Sequence, residues 1–231
     1  MKRFYEKREL LFSILLIVIY LTFNSICINN FGMTDVRTSI INILLSVIIL
    51  IFIFKNRLGS YYGLSSFPNA KKYLYFIPLI LLVSVNLWNG INTDNTTNEI
   101  IYYIFSMIGV GFLEEIIFRW FLFKAMEKDS VKAAVIVTSL TFGVGHIINL
   151  LNGAEFIPTL LQVIYSTSVG YLFVTIFQKS KSLWPCIITH MLVNSLSILN
   201  TVENTLSIYV APIFLTIVPL LYTFYIKKTI K

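Results

Sequence analysis

Eight apolar runs, at roughly 10–28, 38–54, 73–91, 99–125, 131–150, 156–178, 183–200 and 205–226, succeed one another along this chain of 231 residues. Each is close to the ~20 residues that an α-helix needs to cross a bilayer. A chain entering lipid must satisfy its own backbone N–H and C=O groups, and for isolated runs of this length only helices do so. The expected fold is therefore all-α: a polytopic membrane protein of eight transmembrane helices, in a single domain over 1–231. Composition agrees, because 57% hydrophobic and 13% charged residues leave more apolar surface than a soluble domain of this size can bury.

The first run follows a basic head, Lys2, Arg3, Lys7 and Arg8, as a signal peptide would. It is longer than a typical signal core and no small-x-small cleavage site follows, so it reads as an uncleaved first span. Basic residues then alternate from connector to connector. Residues 29–37 are nearly neutral, 55–72 carries Lys55, Arg57, Lys71 and Lys72, and 92–99 has only Asp94 and Glu99. Lys124, Lys128 and Lys132 come next, then Glu155, then Lys179 and Lys181, then Glu203, and last Lys227, Lys228 and Lys231. The positive-inside rule puts both termini and every basic connector in the cytoplasm of a multi-pass cell-membrane protein. An even number of spans requires the same. The net charge of +7 is thus a matter of orientation; no basic stripe interleaved with aromatics is present, which argues against nucleic acid as a partner. Cys27 and Cys186 lack partners at metal-ligand spacing and read as buried thiols.

Against this background Gly111 to Arg119, Gly-Phe-Leu-Glu-Glu-Ile-Ile-Phe-Arg, places three full charges inside the fourth run. A charge near the bilayer centre costs ~2.5–3.5 kcal/mol on insertion scales, so Glu114, Glu115 and Arg119 need partners. The two histidines of the chain, His146 and His190, fall in the fifth and seventh runs, while the other five carry no Asp, Glu, Lys, Arg or His in their interiors. Glu115 and Arg119 stand four positions apart with the acid first, the favourable order for an ion pair on one helix face. A structural anchor accounts for that pair. Glu114 projects about 100° away and remains as the unserved carboxylate, a fit to a general base. His190 and Asn194 share one face of the seventh run at the same spacing; each alone would serve as a bond between helices.

Together Glu114, His146, His190 and Asn194 suit peptide hydrolysis. Glu114, assisted by His146, would deprotonate a water, and His190 with Asn194 would donate hydrogen bonds to the oxyanion. Zinc held by Glu114, His146 and His190 with an open water position is the competing arrangement, and spacing does not separate the two. Measured from the cytoplasmic ends at ~1.5 Å per residue, Glu114 lies roughly 15 Å deep, His190 roughly 10 Å and His146 roughly 20 Å. Bringing them together calls for tilted helices or a kink near Gly143 and Gly145. Two other classes use the same residues: a non-catalytic immunity or regulatory protein that binds a peptide or a partner kinase, and a proton-coupled transporter. The transporter lacks support in repeated halves or paired Gly/Pro-broken spans.

The motifs Glu-Glu-x-x-x-Arg at 114–119, Phe-x-x-x-His at 142–146 and His-x-x-x-Asn at 190–194, in this order on three runs, resemble those of the CAAX protease and bacteriocin-processing (Abi) family, which includes the type II prenyl endopeptidases. The resemblance covers roughly 75–200. It implies an eight-helix intramembrane endopeptidase with its catalytic core in that stretch and no resident cofactor. Glu114 would be the catalytic glutamate, His146 its water-orienting partner, and His190 with Asn194 the oxyanion site, with Glu115 and Arg119 supporting them. The partners implied are membrane lipid and a peptide substrate. Richness in Ile, Asn, Lys and Phe suits a bacterial chain, and bacterial relatives suggest a small hydrophobic, bacteriocin-like, signalling or lipidated peptide. Such a peptide is expected to enter from the cytoplasmic side or laterally between helices.

Overall fold

The computed structural model describes residues 2–59, 63–64, 76, 78–92, 94–200 and 206–229, and every regular element in them is a helix. Of the expected third span, residues 73–75 and 77 lie outside this set, as do the connector residues Lys71 and Lys72, and Glu203 and Lys231. A short α1, Lys2–Lys7, leads into α2, Glu9–Phe31, and α3, Val36–Lys55. The α4 helix, Leu79–Ser84, tightens into a 3-10 turn through Leu87. One continuous helical stretch then comprises α5, Thr97–Glu115, a π-helical segment Ile116–Leu122 and α6, Phe123–Glu127. The rest comprises α7, Val131–Gly145, with a 3-10 extension His146–Leu150; α8, Phe156–Ser180; α9, Trp184–Leu196, with a 3-10 end; and α10, Ala211–Thr229.

Polar connectors start the helices where capping chemistry is available. The Asp35 side chain accepts from the backbone of Arg37, Thr96 and Glu99 form a capping box, and the Ser130 side chain accepts from Ala133 N–H, so three helices begin with orphan donors satisfied. Among the described residues six helices are long and apolar enough to cross a bilayer: Glu9–Phe31, Val36–Lys55, Thr97–Glu127, Val131–Leu150, Phe156–Ser180 and Ile208–Thr229. The count of eight is thus met only in part. Trp184–Leu199 is apolar but shorter, begun by Pro185 in its first turn and ended where Asn200 turns extended. In the expected third span the described helical residues are Phe76 and Leu79–Leu87.

Large apolar side chains such as Ile51, Phe54, Ile80 and Leu221 face outward, each more than half exposed. Such a surface suits lipid. Inside, α5 packs against α3 and α9, and α8 against α7 and α10. Lipid offers little hydrophobic drive for helices to associate, so close backbone approach through small residues matters more than in water. A methyl group on Gly143 would lie 2.6 Å from the Val163 carbonyl oxygen and 2.9 Å from the Thr167 nitrogen on α8. Gly143 therefore marks a helix contact, and α7 stays α-helical through Gly145 where a kink was expected.

Gly111 does the same between α5 and α9. Its added methyl would sit 2.9 Å from Met191 N and 3.1 Å from Met191 Cα, and these are backbone atoms that cannot swing aside. Gly111→Ala is expected to force α9 off α5 and lower stability by about 1–3 kcal/mol, the cost of overpacking a tight contact. Thermal unfolding of the purified variant in detergent checks it; an unchanged midpoint would show that the two helices separate freely.

Candidate active site

Glu114 and Glu115 are the last two residues of α5, one turn beyond Gly111, and the chain widens into the π-helix at the next residue. Such insertions recur at functional sites because they re-aim side chains within a continuous helix. Here the two carboxylates diverge. Glu115 is fully buried, with Oε1 3.1 Å from Arg119 Nη1 and 2.8 Å from His190 Nδ1. Glu114 remains partly exposed, with Oε1 accepting a 2.8 Å bond from the Tyr20 hydroxyl and Oε2 3.4 Å from His190 Nε2. His190 is therefore flanked by both acids. Close approach at Gly111 makes this possible, since the glycine abuts the His190–Met191 backbone.

Arg119 is 1% exposed, lies over the Phe142 ring with 4.1 Å from Cζ to centroid, and passes within 3.4 Å of where a methyl on Gly170 would stand. The pair expected from the i, i+4 spacing is present, and Phe142 of the second motif forms part of its walls. His146 caps α7, its Nδ1 3.0 Å from the Phe142 carbonyl oxygen. A carbonyl can only accept, so Nδ1 carries the hydrogen and Nε2 keeps its lone pair. Phe142 also meets the His146 and His190 rings edge-on, at 5.4 and 5.6 Å.

These groups border a cavity of about 240 Å³ whose lining includes Glu114, His146 and Asn194 together with Asn24, Asn86, Asn149 and Gln162. An adjoining hollow shares His146 and Asn194 and adds His190. The structure thus brings Glu114, Glu115, Arg119 and His190 into direct contact and sets His146 and Asn194 on the same cavity. Tyr20 escaped the sequence reading because a phenol within an apolar run carries no charge to flag it. The carboxamides Asn24, Asn86 and Gln162 stood in view as polar residues in apolar runs and were not used.

Among the described residues no three His, Cys, Asp or Glu side chains form a group that could hold a metal ion, and both His190 nitrogens face carboxylates. No step below runs through a metal.

Fold and site together define a helical, multi-pass membrane protein with a charged cluster built into its core. Residues 96–196 match the family model described as type II CAAX prenyl endopeptidase Rce1-like. Over 101 residues the chain is 29% identical to the Bacillus subtilis (strain 168) protein named "Putative membrane peptidase YdiL", covering 43% of this chain and 37% of that one. The chain therefore spans little more than a third of the length of the curated relative it matches. No solved structure matches significantly. The matched stretch, 96–196, contains all three motifs, Glu-Glu-x-x-x-Arg, Phe-x-x-x-His and His-x-x-x-Asn.

Proposed function

We propose that the protein is an intramembrane endopeptidase that hydrolyses a peptide bond in a small hydrophobic, bacteriocin-like, signalling or lipidated peptide, through water activated by Glu114 and His146. The observation that carries this reading is the unequal treatment of adjacent acids. Glu115 is neutralised by Arg119 in the protein interior, whereas Glu114 fronts a cavity shared with His146 and Asn194. A water between Glu114 and the His146 Nε2 lone pair gives its proton to Glu114, and its oxygen adds to the peptide carbonyl carbon. Asn194, one turn beyond His190, and His190 itself supply donors for the oxyanion. On collapse the C–N bond breaks, and the proton held on Glu114 passes to the departing amine, leaving a carboxyl and an amino terminus. This route uses no metal, so activity is expected to survive chelator. Eight spans, both termini and all basic connectors in the cytoplasm, and a bacterial source belong to the same reading.

The test compares small peptides, by mass spectrometry, from cells carrying the wild-type and Glu114→Gln proteins. A peptide shortened only by the wild type supports the assignment and names the substrate; identical peptide sets overturn it. Immunity or signalling that persists in Glu114→Gln and His146→Ala cells would favour a binding protein instead.

Tyr20 adds a second expectation. Its hydroxyl fixes one oxygen of Glu114, and a hydrogen bond to a charged group contributes about 1.5–3 kcal/mol. Tyr20→Phe is expected to lower kcat about tenfold or more, at 1.36 kcal/mol per factor of ten, with KM little changed. A change in KM alone would move Tyr20 from positioning the base to binding the substrate.

A further inference from the structure

We infer that the peptide reaches Glu114 from the face opposite the basic connectors, which is the extracytoplasmic face, and that its seated stretch is uncharged. This deepens the endopeptidase reading and rests on it.

Of the 18 Lys and Arg residues, only Arg37 and Arg119 lie outside the basic head, the connectors 55–72, 124–132 and 179–181, and the basic tail. Arg37 is paired with Asp35 at 2.9 Å, and this bond holds the Asp35 carboxyl down at about 2, so together they add no net charge to their end. The described basic connectors gather at one end of the bundle. Lys128 pairs with Glu9 at the start of α2, Lys227 donates to the Tyr171 hydroxyl, and Leu183 N–H donates to the Gly63 carbonyl beside Lys181. So lopsided a distribution fixes that end in the cytoplasm.

The cavity runs the other way. Ile28 near the end of α2, Met33 in the loop after it, Tyr103 in the first two turns of α5, Asn149 in the last turn after α7, Gln162 early in α8 and Ser197 beyond α9 all line it. Each belongs to the end of its helix remote from the basic connectors. Toward the basic end, Ile116–Leu122 is buried throughout and closes the floor beneath Glu114 and Glu115. The site is a well sunk to mid-membrane, with its mouth away from the cytoplasm.

The lining selects the occupant. Among the described lining residues Glu114 and His146 are the only Asp, Glu, Lys, Arg or His side chains, while Asn24, Asn86, Asn149, Gln162 and Asn194 present carboxamides. A carboxamide offers the donor and acceptor that a peptide bond needs; an acidic residue in the well would meet no cation among the described lining residues, and a basic one would pair with Glu114 and occupy the base that the reaction needs.

The experiment places a single cysteine at Ser197→Cys, within the well, or at Lys128→Cys, at the basic end, with Cys27 and Cys186 replaced by alanine. Both native thiols are buried, so the comparison runs in the native background if the double replacement fails to fold. A membrane-impermeant maleimide added to intact cells is expected to label Ser197→Cys and not Lys128→Cys, with the pattern reversed in inverted vesicles. Labelling of Ser197→Cys is also expected to abolish cleavage of a quenched-fluorescent peptide of uncharged residues supplied outside the cells. Labelling confined to inverted vesicles overturns the proposal, as does undiminished cleavage after complete labelling. Absence of cleavage by the wild-type protein, with labelling of Ser197→Cys as expected, sinks the endopeptidase reading and leaves the outward mouth standing.

Discussion

Purified Glu114→Gln protein is expected to cleave its peptide on the order of 10²–10⁴-fold more slowly than the wild type, the usual contribution of a positioned general base. The substitution changes little else. Glutamine keeps an oxygen to accept from the Tyr20 hydroxyl, now bonded at 2.8 Å to Glu114, and it has nearly the same volume. Its amide cannot take a proton from water. Thermal unfolding should therefore match the wild type while kcat collapses, and that separation distinguishes a chemical role from a structural one. His146→Ala should lose less, because an imidazole that orients water with its Nε2 lone pair can be replaced in part by a second water. Rates for Glu114→Gln within a few-fold of wild type would remove Glu114 from the chemistry.

Much of this site was legible in the sequence because membrane burial makes charge conspicuous. Glu114, Glu115, Arg119, His146 and His190 stood out as ionisable groups in runs that otherwise avoid them, and the i, i+4 spacing of Glu115 and Arg119 anticipated the 3.1 Å pair. How the groups divide the work was not legible. His190 meets Glu115 with Nδ1 and turns Nε2 toward Glu114, because Gly111 brings α9 against the turn before the acids. Helical spacing reports one helix at a time, and this contact depends on two. The same limit applies to Tyr20, which reaches Glu114 across 94 positions of chain. The span count is met only in part for a different reason: hydropathy registers apolar length, whereas the described α9 is short, running from a first turn that holds Pro185 to the tightening at Ser197–Leu199.

Arg119→Leu is expected to destabilise the protein by about 3–5 kcal/mol, the penalty for leaving one charge of a buried pair uncompensated. Glu115 would keep only His190, in a setting where its carboxylate is 0% exposed. Even in the wild type, Glu115 Oε2 and Arg119 Nη2 have no hydrogen-bond partner among the described residues, so little remains to absorb the loss. The loss also reaches beyond charge, since the guanidinium stacks on Phe142 and fills the space that Gly170 leaves open. Pairing Arg119→Leu with Glu115→Gln removes both charges while keeping an acceptor for His190 Nδ1, and should recover most of the stability, as neutral replacement of a buried pair commonly does. Denaturant unfolding of the four proteins in detergent measures the coupling directly. Stabilities that simply add would mean that Glu115 and Arg119 do not depend on one another. Recovery of stability without recovery of cleavage would show that the pair also sets the position of His190 beside Glu114, and through it the geometry of the catalytic cavity.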